Sequence, residues 1–222
     1  MSESDDLERR IQELEIENRR LTTTVSHLER SYDITLQTLG DALDLKNAET
    51  EGHSKRVTAF TIAMAKHMGL NDKEIRVIAR GAFLHDIGKM AIPDAIMRKP
   101  GKLTEEETGI MQEHCLRGYQ MIKKIPFLAE AAEIVYAHHE RYEGNGYPLG
   151  LKGAEIPLGA RLVAVTNSLD AITSDLPYRR AQTFDAALKE IELCSGSQFD
   201  PQIVKVFLDM PAKVWDDLRK SV

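Results

Sequence analysis

Apolar side chains between Leu7 and Tyr32 follow the alternating four- and three-residue spacing of a heptad repeat. This spacing constrains the fold most, because it brings the apolar residues to one side of a single α-helix. The repeat consists of Leu7, Ile11, Leu14, Asn18, Leu21, Val25, Leu28 and Tyr32. Leucine at position d, with isoleucine, valine and one asparagine at position a, is typical of a parallel two-stranded coiled coil. We therefore predict that residues 1–36 form a coiled-coil helix that joins two copies of the chain; the alternative is an amphipathic helix packed on its own domain.

Helix start signals mark the remaining residues, 37–222, as one helical domain. Asn71 and Thr104 are each followed three residues later by a glutamate, which is the pattern of a capping box. Prolines stand at expected helix starts at Pro126, Pro157, Pro201 and Pro211. Strand alternation over a useful length is missing from the sequence, so we predict an all-α fold. The one long loop, 140–155, holds four glycines, and long loops in compact domains are usually functional.

The composition narrows the class of function. The formal net charge is −6 over 222 residues, which argues against broad binding of nucleic-acid polymers, since such binding needs a surplus of Lys and Arg. Cys115 and Cys194 lack the paired spacing of a disulfide framework, and the N-terminus lacks the apolar region of a signal peptide. No run approaches the roughly 18 apolar residues of a membrane span. We expect a cytoplasmic protein with no membrane span in this chain.

Five of the seven histidines lie in short polar segments at the ends of helix-like stretches: His53, His85, His114, His138 and His139. Asp86 follows His85 directly, and Gly88 supplies the helix break that lets both side chains point to one place. Glu49 lies one helical turn before His53. Taken alone, Glu49 with His53 fits a surface ion pair better, and His114 fits a structural role better. Together the residues predict a metal cluster with nitrogen and oxygen ligands, suited to Fe, Mn or Zn rather than Mg or Ca.

A cluster of this kind predicts a reaction class. Two or three metal ions close together clamp a phosphodiester and generate a hydroxide nucleophile at neutral pH. The residues therefore predict metal-assisted phosphoester hydrolysis, without naming the ester. Cys115 follows His114, and adjacent residues on a helix point about 100° apart. We therefore predict that Cys115 is a core residue, and the predicted ligand set contains no thiolate.

The glycine-rich loop carries a family resemblance. Residues 138–151 read His-His-Glu-Arg-Tyr-Glu-Gly-Asn-Gly-Tyr-Pro-Leu-Gly-Leu. This run resembles the HD-GYP family, which are HD-superfamily phosphodiesterases that hydrolyse the bacterial messenger cyclic di-GMP. The resemblance covers roughly residues 35–209 and includes the runs 53–57 (His-Ser-Lys-Arg-Val), 85–89 (His-Asp-Ile-Gly-Lys) and 99–104 (Lys-Pro-Gly-Lys-Leu-Thr). It implies a five-helix HD-domain core with extra C-terminal helices.

The resemblance also implies roles for individual residues. The implied metal ligands are His53, His85, Asp86, His114, His138 and His139, with Asn167 at a further ligand position. Glu49 matches the glutamate of members that hold a third metal, so two or three Fe or Mn ions are implied, with other divalent metals as alternatives. Lys89 resembles a general-acid or phosphate-contacting lysine and is implied as catalytic together with Asp86. The implied substrate-binding residues are Lys89, Gly146, Tyr147, Pro148 and Arg179.

Three positions depart from the family pattern. The usual Ala-Asp-x-x-Asp-Ala run reads Thr-Asn-Ser-Leu-Asp-Ala at 166–171, so Asn167 offers a carbonyl oxygen without negative charge. Glu143 stands for the usual aspartate of the loop, and Leu176 stands for the first arginine of an Arg-Pro-Tyr-Arg run. Losing a buried charge-assisted phosphate contact costs on the order of 1.5–3 kcal/mol.

These observations leave three functions open. The first is a metal-dependent phosphodiesterase that converts cyclic di-GMP to linear pGpG and/or GMP. The second is a catalytically weakened sensor or adaptor, favoured by Asn167 and Leu176, that binds the nucleotide or a diguanylate cyclase domain and signals through the coiled-coil homodimer. The third is hydrolysis of another cyclic dinucleotide, because Leu176 changes the charge of the pocket.

Overall fold

The computed structural model describes residues 3–46, 52–175 and 180–222, and of residues 3, 4, 6 and 41–46 it describes the backbone alone. The α-helices of these residues are α1 (Glu3–Lys46), α2 (His53–His67), α3 (Asp72–Leu84), α4 (Asp94–Met97), α5 (Glu105–Ile122), α6 (Ala129–Ala137), α7 (Leu158–Thr173), α8 (Phe184–Leu193), α9 (Pro201–Asp209) and α10 (Ala212–Lys220). Strand pairing within the described ranges is limited to one isolated bridge between Ser195 and Phe199. The predicted all-α fold is confirmed. Among the described helices, none has the length and apolarity that crossing a membrane requires.

Helices α3 and α5 begin where the sequence predicts, whereas Pro126 opens a 3₁₀ turn and α6 begins three residues later at Ala129. The Asn71 side chain accepts hydrogen bonds from the backbone of Lys73 and Glu74, and the Glu74 carboxylate accepts from the Asn71 backbone in return. Thr104 and Glu107 form the same reciprocal box at the start of α5. Caps of this kind contribute about 1 kcal/mol each, because they satisfy backbone N–H groups that the helix leaves unpaired.

The chain divides into two compact units, Met1–Leu39 and Gly40–Val222. In the first unit the apolar members of the heptad repeat are exposed along α1, from 40% exposure at Tyr32 to 62% at Leu7. The predicted long N-terminal helix is confirmed, whereas its pairing with a second copy stays a prediction.

The second unit is built around α7. Leu162, Val163, Val165 and Leu169 of this helix are at most 1% exposed. The C-terminal helices share the same core through Phe207 of α9 and Trp215 of α10, whose rings lie 5.0 Å apart. The Trp215 ring also meets Phe60 of α2 at 5.7 Å. The predicted extra C-terminal helices are thus part of one hydrophobic core.

A close approach of two backbones positions the site. The chain leaves α3 at Leu84 and forms a 3₁₀ turn over Ile87–Ala91. A Cβ atom on Gly88 would lie 1.9 Å from the carbonyl oxygen of His114 in α5, so a glycine is required for the turn to pass this close. The sequence predicted Gly88 as a helix break, and its packing against α5 also brings Asp86 beside His114.

Candidate metal centre

Three of the predicted ligands are oriented by the same kind of hydrogen bond to the backbone. The Nδ1 atoms of His85, His114 and His138 lie 2.7–2.8 Å from the backbone carbonyl oxygen three residues earlier, at Ala82, Met111 and Val135. A carbonyl oxygen only accepts hydrogen bonds, so Nδ1 carries the proton and donates. In the neutral ring Nε2 then carries the lone pair, which is the form in which imidazole binds a metal.

His53 is oriented by a carboxylate from a distant helix. Its Nδ1 lies 2.8 Å from Oδ2 of Asp170, a residue of α7 that is completely buried. The same carboxylate accepts from Arg56 Nε at 2.6 Å. Burial raises the pKa of Asp170, but the hydrogen bonds from His53 and Arg56 outweigh it and lower the pKa to about 2. Asp170 is therefore a charged partner that fixes the tautomer of His53, as carboxylates behind metal-binding histidines do.

Asp86 lies at the centre of the histidines, with one oxygen toward each side. Its Oδ1 is 3.4 Å from His114 Nε2 and 3.8 Å from His138 Nε2. Its Oδ2 is 3.2 Å from His85 Nε2 and 2.7 Å from Lys89 Nζ. Burial opposes ionisation of Asp86, yet nearby positive charge, above all the Lys89 ammonium, outweighs it and holds the pKa of the carboxyl well below its usual value. A charged, 2% exposed carboxylate therefore lies between two sets of imidazoles.

The donor set fits divalent cations. The Nε2 atoms of His114 and His138 are 3.3 Å apart, and both carry lone pairs because both Nδ1 atoms donate to carbonyls. A proton between them is disfavoured, since burial lowers the pKa of both rings. Within the described ranges, His85 Nε2 and Asp86 Oδ1 are buried without a hydrogen-bond partner. Buried lone pairs that converge in this way are stabilised by a metal ion.

The donors form two groups. His53, His85 and Asp86 make up one, and His114, Cys115, His138 and His139 make up the other; within each group the ligand atoms lie within 4.8 Å of one another. Six predicted ligands therefore meet: His53, His85, Asp86, His114, His138 and His139. Burial lowers the pKa of His139 to about 3, so this ring too is neutral and available as a ligand. Glu49 and Arg179 lie outside the described residues.

A cavity of about 210 Å³ opens beside the second group. His138, His139, Gly146, Tyr147 and Asn167 are among the residues that line it. The Tyr147 ring stacks on the His139 ring with centroids 4.8 Å apart. Pro148, predicted to bind substrate, is exposed and lies outside this lining. The other predicted loop residues and Asn167 thus share one cavity with two candidate metal ligands.

Cys115 shows where the sequence argument failed. The residue is buried, as predicted for a core position. Its Sγ, however, lies 3.5 Å from His114 Nε2 instead of pointing away from it. The 100° rule describes Cα–Cβ directions, whereas the imidazole of His114 extends further and is turned by its bond to Met111 O, so the two side-chain ends meet. The sequence signal that was available is the adjacency of a cysteine to a candidate ligand.

The Glu140 side chain holds the glycine-rich loop by hydrogen bonds to its backbone. Its carboxylate accepts hydrogen bonds from the backbone N–H groups of Leu149 (2.6 Å), Gly150 (3.2 Å) and Leu151 (3.1 Å). The side chain is 3% exposed. The Glu140 carboxylate therefore anchors the loop that carries Tyr147.

We expect Glu140→Gln to destabilise the protein by about 1.5–3 kcal/mol, because an amide replaces charge-assisted bonds and presents hydrogens to a backbone donor. Urea unfolding measures this loss, and faster hydrogen exchange at Leu149 and Leu151 locates it in the loop. Glu143→Gln is the matched control: this exposed loop carboxylate accepts from the Asn145 side chain at 2.9 Å, and the substitution should cost less than about 0.5 kcal/mol. Equal effects of the two variants would contradict the anchoring role.

HD-domain proteins have a helical core in which an adjacent histidine and aspartate meet other histidines. In this chain His85 and Asp86 meet histidines from three other segments. A model of the HD domain family matches residues 37–203. The chain belongs to the HD domain family, and the resemblance to its HD-GYP members is confirmed.

Relatives with assigned activities are similar to most of this chain. A cyclic di-GMP phosphodiesterase response regulator of Xanthomonas campestris pv. campestris (strain 8004) is 40% identical over 191 residues, covering 85% of this chain and 50% of the relative. A cyclic di-GMP phosphodiesterase of Thermotoga maritima is 39% identical over 188 residues, covering 84% and 51%. The chain spans about half the length of these two relatives.

A solved structure supports the fold. The crystal structure of a cyclic GMP-AMP specific phosphodiesterase of V. cholerae matches with a TM-score of 0.66 at 20% sequence identity. The match covers 83% of this chain and 50% of that chain. It is evidence for the HD-type helical architecture.

Proposed function

We propose that the protein is a metal-dependent phosphodiesterase that hydrolyses cyclic di-GMP to linear pGpG and/or GMP. The observation that carries the proposal is Asp86, a charged buried carboxylate with one oxygen toward each of two histidine groups. The names of the relatives from Xanthomonas campestris and Thermotoga maritima supply the substrate.

The proposed cofactor is two Fe or Mn ions, with a third if Glu49 also serves as a ligand. His53, His85 and Asp86 would hold one ion, and His114, His138 and His139 would hold the other. Bound ions of this kind polarise a phosphodiester and lower the pKa of water, so that a hydroxide is present at neutral pH.

The remaining residues would position the substrate and move a proton. Lys89 Nζ lies 2.7 Å from Asp86 Oδ2, and its side chain is 14% exposed, so it can also reach a phosphate at the centre. We assign Lys89 the role of contacting the phosphate or protonating the leaving oxygen. Gly146 and Tyr147 form the wall of the cavity that receives the nucleotide, and Asn167 faces the same space. Arg179 is proposed as a further phosphate contact.

A substrate panel tests the proposal. The full chain, loaded with Mn or Fe under anaerobic conditions, is incubated with cyclic di-GMP, 3′3′-cGAMP and cyclic di-AMP, and products are separated by chromatography. We expect hydrolysis of cyclic di-GMP that a chelator abolishes and added metal restores. Preference for 3′3′-cGAMP would favour the second candidate, since a 3′3′-cGAMP-specific phosphodiesterase of Vibrio cholerae is 34% identical over 181 residues. Tight nucleotide binding without turnover would reject the enzyme in favour of a sensor or adaptor.

We also propose that α1 pairs with α1 of a second copy as a parallel coiled coil. This coiled coil would transmit a signal, such as the binding of a diguanylate cyclase domain. The apolar repeat supports this, since Leu14 is 56% exposed in the single chain. Burying a leucine contributes about 1.5–3 kcal/mol, so Leu14→Lys in both copies should weaken the dimer by roughly 100-fold or more. Sedimentation equilibrium measures the change.

Ile16→Lys is the matched control for the dimer. Ile16 is 62% exposed on the same helix but occupies the outward f position, so its substitution should leave the dimer intact. A monomeric parent protein, or equal weakening by both variants, would contradict the coiled coil.

A further inference from the structure

We propose that Cys115 is a protein ligand of the second metal position, which then has three imidazole nitrogens and one thiolate sulfur as donors. The inference rests on the proposed metal centre and adds to it a ligand that the sequence argument assigned to the core. A thiolate at this position favours iron or zinc over manganese, so of the two proposed metals the inference selects iron.

Two of the distances between these donor atoms match those between ligands of one metal ion. Metal–nitrogen bonds of about 2.0–2.1 Å and a metal–sulfur bond of about 2.3 Å put neighbouring tetrahedral donors roughly 3.3–3.6 Å apart. The Sγ of Cys115 lies 3.5 Å from His114 Nε2, and His114 Nε2 lies 3.3 Å from His138 Nε2. His139 completes a set whose four donor atoms are all within 4.8 Å of one another.

Two further features support a cation at this position. His114 and His138 both direct an Nε2 lone pair inward, because their Nδ1 protons are bonded to backbone carbonyls. Asp86 Oδ1, 3.4 Å from His114 Nε2, is buried with no hydrogen-bond partner within the described ranges. The Sγ of Cys115 therefore lies beside a cluster of buried lone pairs that a metal ion would stabilise.

Coordination changes the protonation of the thiol. The S–H bond breaks, a metal–sulfur bond forms, and the proton passes to solvent, so no oxidant or reductant is involved. The rival role for Cys115 keeps the proton: the thiol then donates a weak hydrogen bond to His114 Nε2 at 3.5 Å. The two roles differ in whether sulfur is bonded to the metal, which spectroscopy distinguishes.

Cobalt(II) substitution is the decisive measurement. The metal-stripped full chain is titrated with cobalt(II), and the absorption spectra of the parent, Cys115→Ser, Cys115→Ala and Cys194→Ser are compared. We expect an intense near-ultraviolet sulfur-to-cobalt charge-transfer band in the parent and in Cys194→Ser, and its loss in both Cys115 variants. The chain has two cysteines, so Cys194→Ser is a complete control for thiol content.

The outcomes separate this inference from the proposed metal centre. Visible cobalt bands in all four proteins, without a difference in the near ultraviolet, would overturn the thiolate ligand and leave the centre intact. Absence of cobalt binding in the parent would overturn both. As a second measurement, competition with zinc should show at least a tenfold lower zinc affinity in Cys115→Ser, with little change in manganese affinity. Circular dichroism of each variant tests whether a lost charge-transfer band or a lower zinc affinity reflects misfolding.

Discussion

Asp86→Asn is expected to lower the metal content of the protein and to reduce phosphodiester hydrolysis by about 10³-fold or more. Asp86 is the residue whose two oxygens face His85 on one side and His114 on the other. Asparagine keeps the shape, but it removes the charge and turns an N–H₂ group toward one set of donors. Stabilisation of a developing charge by a bound metal is worth several kcal/mol, and about 4 kcal/mol corresponds to a thousandfold change in rate.

Elemental analysis and the hydrolysis assay on one sample measure both effects of Asp86→Asn. Asp200→Asn is the matched control, because Asp200 is also 2% exposed but caps α9 and pairs with Arg161 at 2.6 Å. It should lower stability while metal content and turnover per folded molecule are retained. Full metal content and activity in Asp86→Asn would remove the central role we assign to this carboxylate.

Asn167→Asp is expected to act in the opposite direction, by tightening metal binding and raising turnover about ten- to a hundredfold. Asn167 lines the same cavity as His138 and His139, and a carboxylate there adds the charge that the family pattern supplies at this position. A charge-assisted contact is worth about 1.5–3 kcal/mol, which sets the size of the gain. Metal titration and the dependence of turnover on metal concentration measure it.

Ser168→Asp separates a ligand from a general charge effect. Ser168 also lines this cavity and is half-buried like Asn167, so the same negative charge is introduced one residue later. We expect Ser168→Asp to change metal affinity less than about threefold, because a charge that is not coordinated is screened by the open cavity. A similar gain from both variants would mean that Asn167 does not face the metal as a ligand. If Asn167→Asp changed neither metal affinity nor turnover, the asparagine side chain would already be sufficient at this position.

Local rules predicted the helices well, because the signals that start them act over three or four residues. The reciprocal bonds of Asn71 with Glu74 are an example, since both partners lie on the first turn of one helix. The histidines were found for a similar reason: polar residues at helix ends stand out from the apolar stripe that the core requires. The family motifs then assigned these segments to one site. The sequence gave no distances between their side chains.

The sequence alone determined that this chain is helical, begins with a heptad repeat, and carries an imidazole and carboxylate set suited to metal ions. Only the tertiary structure decided how those groups meet. His53 takes its orientation from Asp170, 117 residues away, and Glu140 anchors the loop through backbone groups that carry no sequence signature. Cys115 meets His114 because a hydrogen bond to Met111 turns the imidazole, which Cβ directions do not reveal. Donor chemistry is a property of residue types, whereas the distances between donors depend on the packing of helices against one another.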